Sequence, residues 1–311
     1  MIAGGAILLI TLVAGLLFAF RNNKGESADI DSVASMEKGE NLENADSANG
    51  DSEEIAVGDI ITFGTYYGEP IEWIAIKEND DGTVILLSRY IICMKAFDAA
   101  EGGEYNCDGD EEYWQIATIE EPELAVHVRG NGNWASSNLR IWLNSDSFTV
   151  NYPDQAPTRE AVMENPYANE AGFLCIFNPK EREALVPVTH EQDNPVHWLS
   201  QESQDAVVDY VFLLSTEEIR WLDEANVSHY ATPTPQCVEN DESMYYSGLN
   251  NAYGLDNHYW WLRSTSTESA DEVYLMATTM DDELVYLSAS AGISSFGVRP
   301  AICIAKDALS E

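Results

Sequence analysis

Cations are scarce in this chain: 15 lysines and arginines stand against 54 acidic residues over 311 positions, a formal charge of −39. That field repels nucleic-acid phosphates and anionic headgroups at every approach, which sets nucleic acid aside as a partner. A solvated, soluble surface is the ordinary use of such charge. Cysteine is also thin. Cys93, Cys107, Cys175, Cys237 and Cys303 are widely spaced and odd in number, with no C-x-x-C pair, so neither a zinc site nor a dense disulfide framework is signalled. One bridge stays open, with Cys93 and Cys107 nearest in sequence.

The usual motifs of chemistry are missing too. His190 and His197 stand seven apart without the H-E-x-x-H spacing that puts two imidazoles on one helix face. No G-x-S-x-G, Walker loop or dinucleotide fingerprint occurs, and no local motif nominates Cys175 or Cys303 as a nucleophile. Asp108, Asp110 and Glu112 imitate the start of a calcium loop, but Tyr113 and Ile119 occupy the positions that need Gly and Glu. The sequence therefore implies no cofactor, no metal and no identifiable catalytic residue.

What is present begins with Ile2–Phe20, nineteen residues without a charge, enough for a helix to cross a hydrocarbon core about 30 Å thick. No basic flank precedes it and no A-x-A-like cleavage site follows, so residues 1–20 read as a single-pass transmembrane anchor. Residues 21–56, rich in Glu, Asp, Asn, Ser and Gly and free of aromatics, read as an acidic disordered linker. Arg21 and Lys24 vote by the positive-inside rule for a cytoplasmic C-terminal side, a rule that weakens for large domains.

Residues 57–305 read as one α+β domain of mostly antiparallel strands and a few short helices, followed by a tail at 306–311. Strands are predicted near 59–63, 71–77 and 83–89, then near 259–263, 272–279, 283–288 and 297–304, with Asp281-Asp282 as a hairpin turn. "YVFLL" is a buried strand. Leu139, Trp142 and Leu143 recur at helical spacing behind Ser136 or Ser137, "NPKEREALV" carries Asn178 as cap with Pro179 in the first turn, and Ser215 with Glu218 forms a capping box ahead of "IRWLDEA".

"WWLRS" and "GVRPAICI" set Arg263 and Arg299 into apolar strands, and Arg140 lies inside "NLRIWLN". All three read as structural. A guanidinium in a poorly hydrated layer needs carboxylates or backbone carbonyls for its five donors, and an indole against its plane. On half-buried strands, Trp261 would share a face with Arg263, while Val298, Pro300, Ile302 and Ile304 would alternate with Arg299, Ala301 and Cys303. Between these strands "ESMYYSGLNNAYGLDNHYW" carries Tyr245, Tyr246, Tyr253, Tyr259 and Trp260 among Asn and Gly, the chemistry of recognition loops. The rings are candidates for ligand contact, or pack the loop onto its own domain.

"NLRIWLN", "GFLCIFNPKEREALV", "DYVFLLSTEEI", "WWLRS" and "GVRPAICI", in that order, resemble the bacterial family called domain of unknown function DUF6273, with about 25 residues inserted near 146–172. The C-terminal strand pattern also resembles, at a distance, the C-type lectin and formylglycine-generating-enzyme folds, a likeness of architecture alone. No calcium-type sugar-binding motif accompanies it. The resemblance and the acidic stalk imply a cell-membrane protein whose domain lies on the extracytoplasmic side and binds a cell-surface glycan, peptide or protein. The alternative is a hydrolase or other enzyme with an unidentified active site.

Overall fold

The computed structural model describes residues 54–98, 130–152, 165–191, 206–242, 258–267, 269, 271–278, 284–290 and 296–308. The anchor, nearly all of the linker, the acidic loop with Cys107, His197 and the Asp281-Asp282 turn lie outside the described residues. No described helix is long and apolar enough to cross a membrane. The chain divides into Met1–Asp51 and Ser52–Glu311, and the described elements all belong to the second unit.

The meander expected at the start forms as β1 (Ile60–Tyr66), β2 (Glu69–Glu78) and β3 (Thr83–Ser88). A two-residue loop, Tyr67-Gly68, joins β1 to β2 with φ of 50° and 82°, the left-handed pair that matches strand twist in a tight hairpin. β1 bends at Gly64 (φ 74°), where a Cβ would stand 2.7 Å from the Phe177 ring, so only glycine lets the strand close on that aromatic. The folded unit already includes Ile55, which is buried and donates its N–H to the Lys306 carbonyl.

The described strands form two five-stranded sheets and one two-stranded sheet. In the first, β1, β2 and β3 continue through β12 (Ala301–Ala305) to β7 (Val211–Phe212), every pairing antiparallel. In the second, β10 (Leu284–Ser290), β9 (Glu272–Thr278), β8 (Trp260–Thr265), β11 (Phe296–Val298) and β4 (Cys93–Lys95) pair in that order, with only β11 against β8 parallel. β5 (Val188–His190) and β6 (Val207–Asp209) form the small sheet. The architecture is α+β and mostly antiparallel.

The last strand differs from its expectation. Residues 297–304 split between the two sheets, because Pro300 has no N–H for a ladder; its carbonyl instead accepts from Ser88 N, and the chain changes sheet at Arg299-Pro300. Both faces of β12 are buried rather than one, apart from its last residue.

Among the described residues four short α-helices sit between the strands. α1 (Asn138–Leu143) is capped by Ser137 Oγ, which accepts from Arg140 N, and buries Leu139, Trp142 and Leu143. Asn144 ties it to β7, donating to Val211 O and accepting from Tyr210 N and Val211 N. α2 (Pro179–Ala184) carries the full Asn178–Glu181 capping box behind a 3₁₀ turn at Phe173–Ile176, and Glu181 also accepts from Gly64 N. α3 (Arg220–Glu224) starts later than its signal: Ser215 and Glu218 bond reciprocally, but residues 215–219 make a tight turn. α4 (Pro235–Glu239) has Thr234 as cap and Pro235 in its first turn, and went unforeseen.

One apolar core fills the space, with Trp73, Trp142, Trp260 and Trp261 among its largest fully buried side chains. Each indole N–H donates to a carbonyl, of Phe63, Ala171, His229 and Lys95 respectively, so none is an orphaned buried donor.

Candidate functional site

The three arginines hold the frame. Arg263 presents its fork to Glu218, Nη2 to Oε1 at 2.7 Å and Nη1 to Oε2, and Nη1 also donates to Leu213 O. The ring near it is Phe212 rather than an indole. Arg140 donates to Asp209 Oδ1 at 2.7 Å and to the Ala135 carbonyl, while Asp209 accepts from Trp134 on its other oxygen. Burial outweighs Arg140 at Asp209 and raises its carboxyl pKa. Arg299, 1% exposed, donates to the carbonyls of Ser88, Ser228 and His229 and lies 5.1 Å from the Trp260 ring. Burial pulls its pKa down to about 9.

The candidate recognition loop divides. Trp260 is fully buried, beneath Arg299 and bonded to His229 O, so its ring is core. Tyr259 is half-buried, edge-on to Phe296. Tyr245, Tyr246 and Tyr253 lie outside the described residues.

A cavity of about 230 Å³ opens where that stretch begins, since Glu242 is one of its walls. β4 supplies Cys93, Met94 and Lys95; Tyr67 comes from the hairpin loop, Asn165 and Glu170 from the C-terminal end of the inserted segment, and Cys237 and Asn240 from α4 and its C-terminal cap. The positions are set locally. β4 pairs with β11, Phe296 opposite Lys95, and the Lys95 carbonyl accepts from Trp261. Asn165 clamps the exit from α4 with both ends of its amide, donating to Asp241 and accepting from Glu242 N. Tyr167 is anchored on Ala96 O.

Lys95 is the group that sets the chemistry. It is 3% exposed, stands 5.2 Å from the Tyr167 ring and 5.5 Å from Trp142, and donates to Glu170 Oε1 at 2.5 Å. An ammonium has three donors, and among the described residues Glu170 is its hydrogen-bond acceptor. Glu170 is a third exposed, so its carboxylate reaches from the buried ammonium into the cavity. Cys93 beside them is a thiol, not a thiolate: burial pushes it up to about 12 despite Lys95. Tyr67 keeps its phenol proton for the same reason, burial first and Cys93 next. This is a hydrogen-bonding pocket with no activated nucleophile at Cys93. Among the described residues no cluster of three or more His, Cys, Asp or Glu is arranged to hold a metal ion.

Sequence reasoning missed Lys95, Glu170, Tyr67 and Asn165. Lys95 carried the same signal as Arg263, a cation inside an apolar run ("IICMKAF"), in a chain with few cations to spare. Glu170 sits in the inserted segment, where no pattern marked it.

An α+β domain built on buried arginines, with a small polar cavity beside a tyrosine-rich segment, is the class of protein this is. The chain matches the family described as a domain of unknown function, DUF6273, over residues 81–306, and belongs to it. The match starts in the turn between β2 and β3, so the β1–β2 hairpin and Tyr67 fall outside the matched residues. No curated protein and no solved structure matches the chain significantly, and the likeness to the C-type lectin fold stands on the strand pattern of the sequence alone.

Proposed function

We propose that the chain is a membrane-tethered recognition module that holds its folded domain outside the cytoplasm and binds a cell-surface component, a wall constituent, peptide or protein, in the Lys95–Glu170 cavity. The uncharged run at 2–20 and the acidic stretch behind it support the tether. The observation that carries the binding reading is the Lys95–Glu170 pair itself. A buried ammonium with one acceptor among the described residues, facing a small cavity, is costly to maintain for packing alone and useful for orienting a ligand. The protonated Cys93 favours binding over nucleophilic catalysis.

Washed bacterial envelopes, which present wall and surface proteins together, provide the test. The full chain and its Glu170→Gln variant are mixed with envelopes and sedimented. Wild type is expected in the pellet in excess of the variant; equal sedimentation of the two would overturn the reading.

A further inference from the structure

The cavity's own groups choose among ligand classes, and this step rests on the recognition reading above. An anion is disfavoured, because the one cation among the described wall residues is already matched by Glu170 and Glu242 adds a second carboxylate, within a chain of net charge −39. A simple cation is disfavoured as well. It would compete with Lys95 for Glu170 and leave the remaining ammonium donors unused. A hydroxyl both donates and accepts, so it inserts between ammonium and carboxylate without disturbing their charge balance.

Two further features narrow the class. At about 230 Å³ the cavity lies below the roughly 300–1,000 Å³ of pockets for drug-sized ligands, which suits one ring and not an oligomer. Tyr67, 41% exposed and with its ring centroid 4.2 Å from that of Tyr66, lines the wall from a left-handed backbone position (φ 50°) that a bulky residue seldom takes. The amides are already partly committed: Asn240 Nδ2 donates to Gln236 O, and Asn165 bonds to residues 241 and 242.

We infer that the cavity binds a single neutral pyranose ring, one hydroxyl accepting from Lys95 and donating to Glu170, with the C–H face of the ring against Tyr67. The same chemistry arises from a free monosaccharide or from a ring of a surface glycan.

Saturation-transfer NMR on the full chain tests this with methyl pyranosides of the gluco, manno, galacto and N-acetylglucosamine series, a soluble glycan fragment, trialanine and methylammonium. At least one neutral pyranoside is expected to receive saturation. Transfer to the glycan fragment but not to its methyl pyranoside assigns the ring to a polymer, and the reverse assigns it to the free sugar; either supports the inference. Glu170→Gln and Tyr67→Asn should each weaken the response about tenfold or more, the loss expected for one charged hydrogen bond or one stacked face. Tyr67→Asn suits the left-handed turn and keeps the fold, so it carries the test on its own should Glu170→Gln, which weakens the partner of a buried ammonium, lose stability.

Saturation of trialanine or methylammonium alone would overturn the pyranose assignment and leave recognition standing. Silence from every probe, with envelope binding retained, does the same. Silence together with no envelope binding removes both readings. A pyranoside that binds both variants as it binds wild type would remove this cavity as its site.

Discussion

Arg263 and Glu218 meet across the core as a two-pronged pair, 11% and 15% exposed, one residue from β8 and the other from the turn before α3. Glu218 also accepts from Ser215 N, so one carboxylate fastens the turn and the strand together. Lysine has a single nitrogen and cannot serve both oxygens in this way. Arg263→Lys is expected to lower the melting temperature, and Arg263→Ala to cost about 3–5 kcal/mol by leaving Glu218 as an unpaired buried charge, roughly 10 °C in a domain of this size. Melting temperatures equal to wild type in both variants would refute the pair's structural role.

The contact between Arg299 and Trp260 makes a second measurable claim. Trp260→Ala should cost about 3–5 kcal/mol as a core truncation, with no change in ligand response beyond what unfolding explains. Tyr246→Ala is the informative variant for the aromatic segment. It should weaken ligand binding with little change in melting temperature, and an unchanged binding signal would leave packing as that ring's role.

At the β1–β2 turn, Tyr67 holds a backbone conformation that Asn tolerates far better. Tyr67→Asn is expected to raise stability by up to about 1 kcal/mol, read from denaturant midpoints. A marked loss would mean that the ring, not the turn, sets the balance there.

Local signals in the sequence carried most of the fold. β-rich runs bounded by turn residues gave β1 to β3 and β8 to β10 near their observed bounds, and caps at Ser137 and Asn178 marked two helices, because those signals act over a few residues. Where distant contacts decide, the reading fell short. The break at Arg299-Pro300 follows from the chain joining two different sheets, which no window of eight residues records. The Lys95–Glu170 pair spans 75 positions and the Asn165–Asp241 bond 76, so the cavity exists only once the insertion folds back over β4.

Topology in the cell is testable without knowing the ligand. Protease added to intact cells is expected to remove the folded domain, as an extracytoplasmic location requires, while a cytoplasmic control protein survives. A full-length chain persisting beside a digested surface control would place the domain inside and restore the vote of Arg21 and Lys24.

His190 makes the last prediction, concerning acid. It is 3% exposed on β5, its ring centroid 4.5 Å from that of Phe212, and its Nε2 has no hydrogen-bond partner among the described residues. Burial foremost, then Arg263 and Arg140, push its pKa from 6.5 down to about 3, with Glu218 opposing. The folded histidine stays neutral while the unfolded one takes up a proton, so the unfolded chain binds more protons between those values. Stability is therefore complete above about pH 6.5 and is lost as pH falls toward 3, with a slope approaching about 1.4 kcal/mol per pH unit. Urea unfolding at pH 7 and pH 5 should show wild type losing about 2 kcal/mol more than His190→Phe, which keeps the ring contact and removes the proton site. Glu218, held low by Arg263 against burial, and Asp209, raised by burial, are present in both chains and cancel in the difference. His229, also lowered by burial, is common to both chains and cancels in the difference. Equal losses in the two proteins would show that His190 titrates normally and that its burial is not maintained in solution.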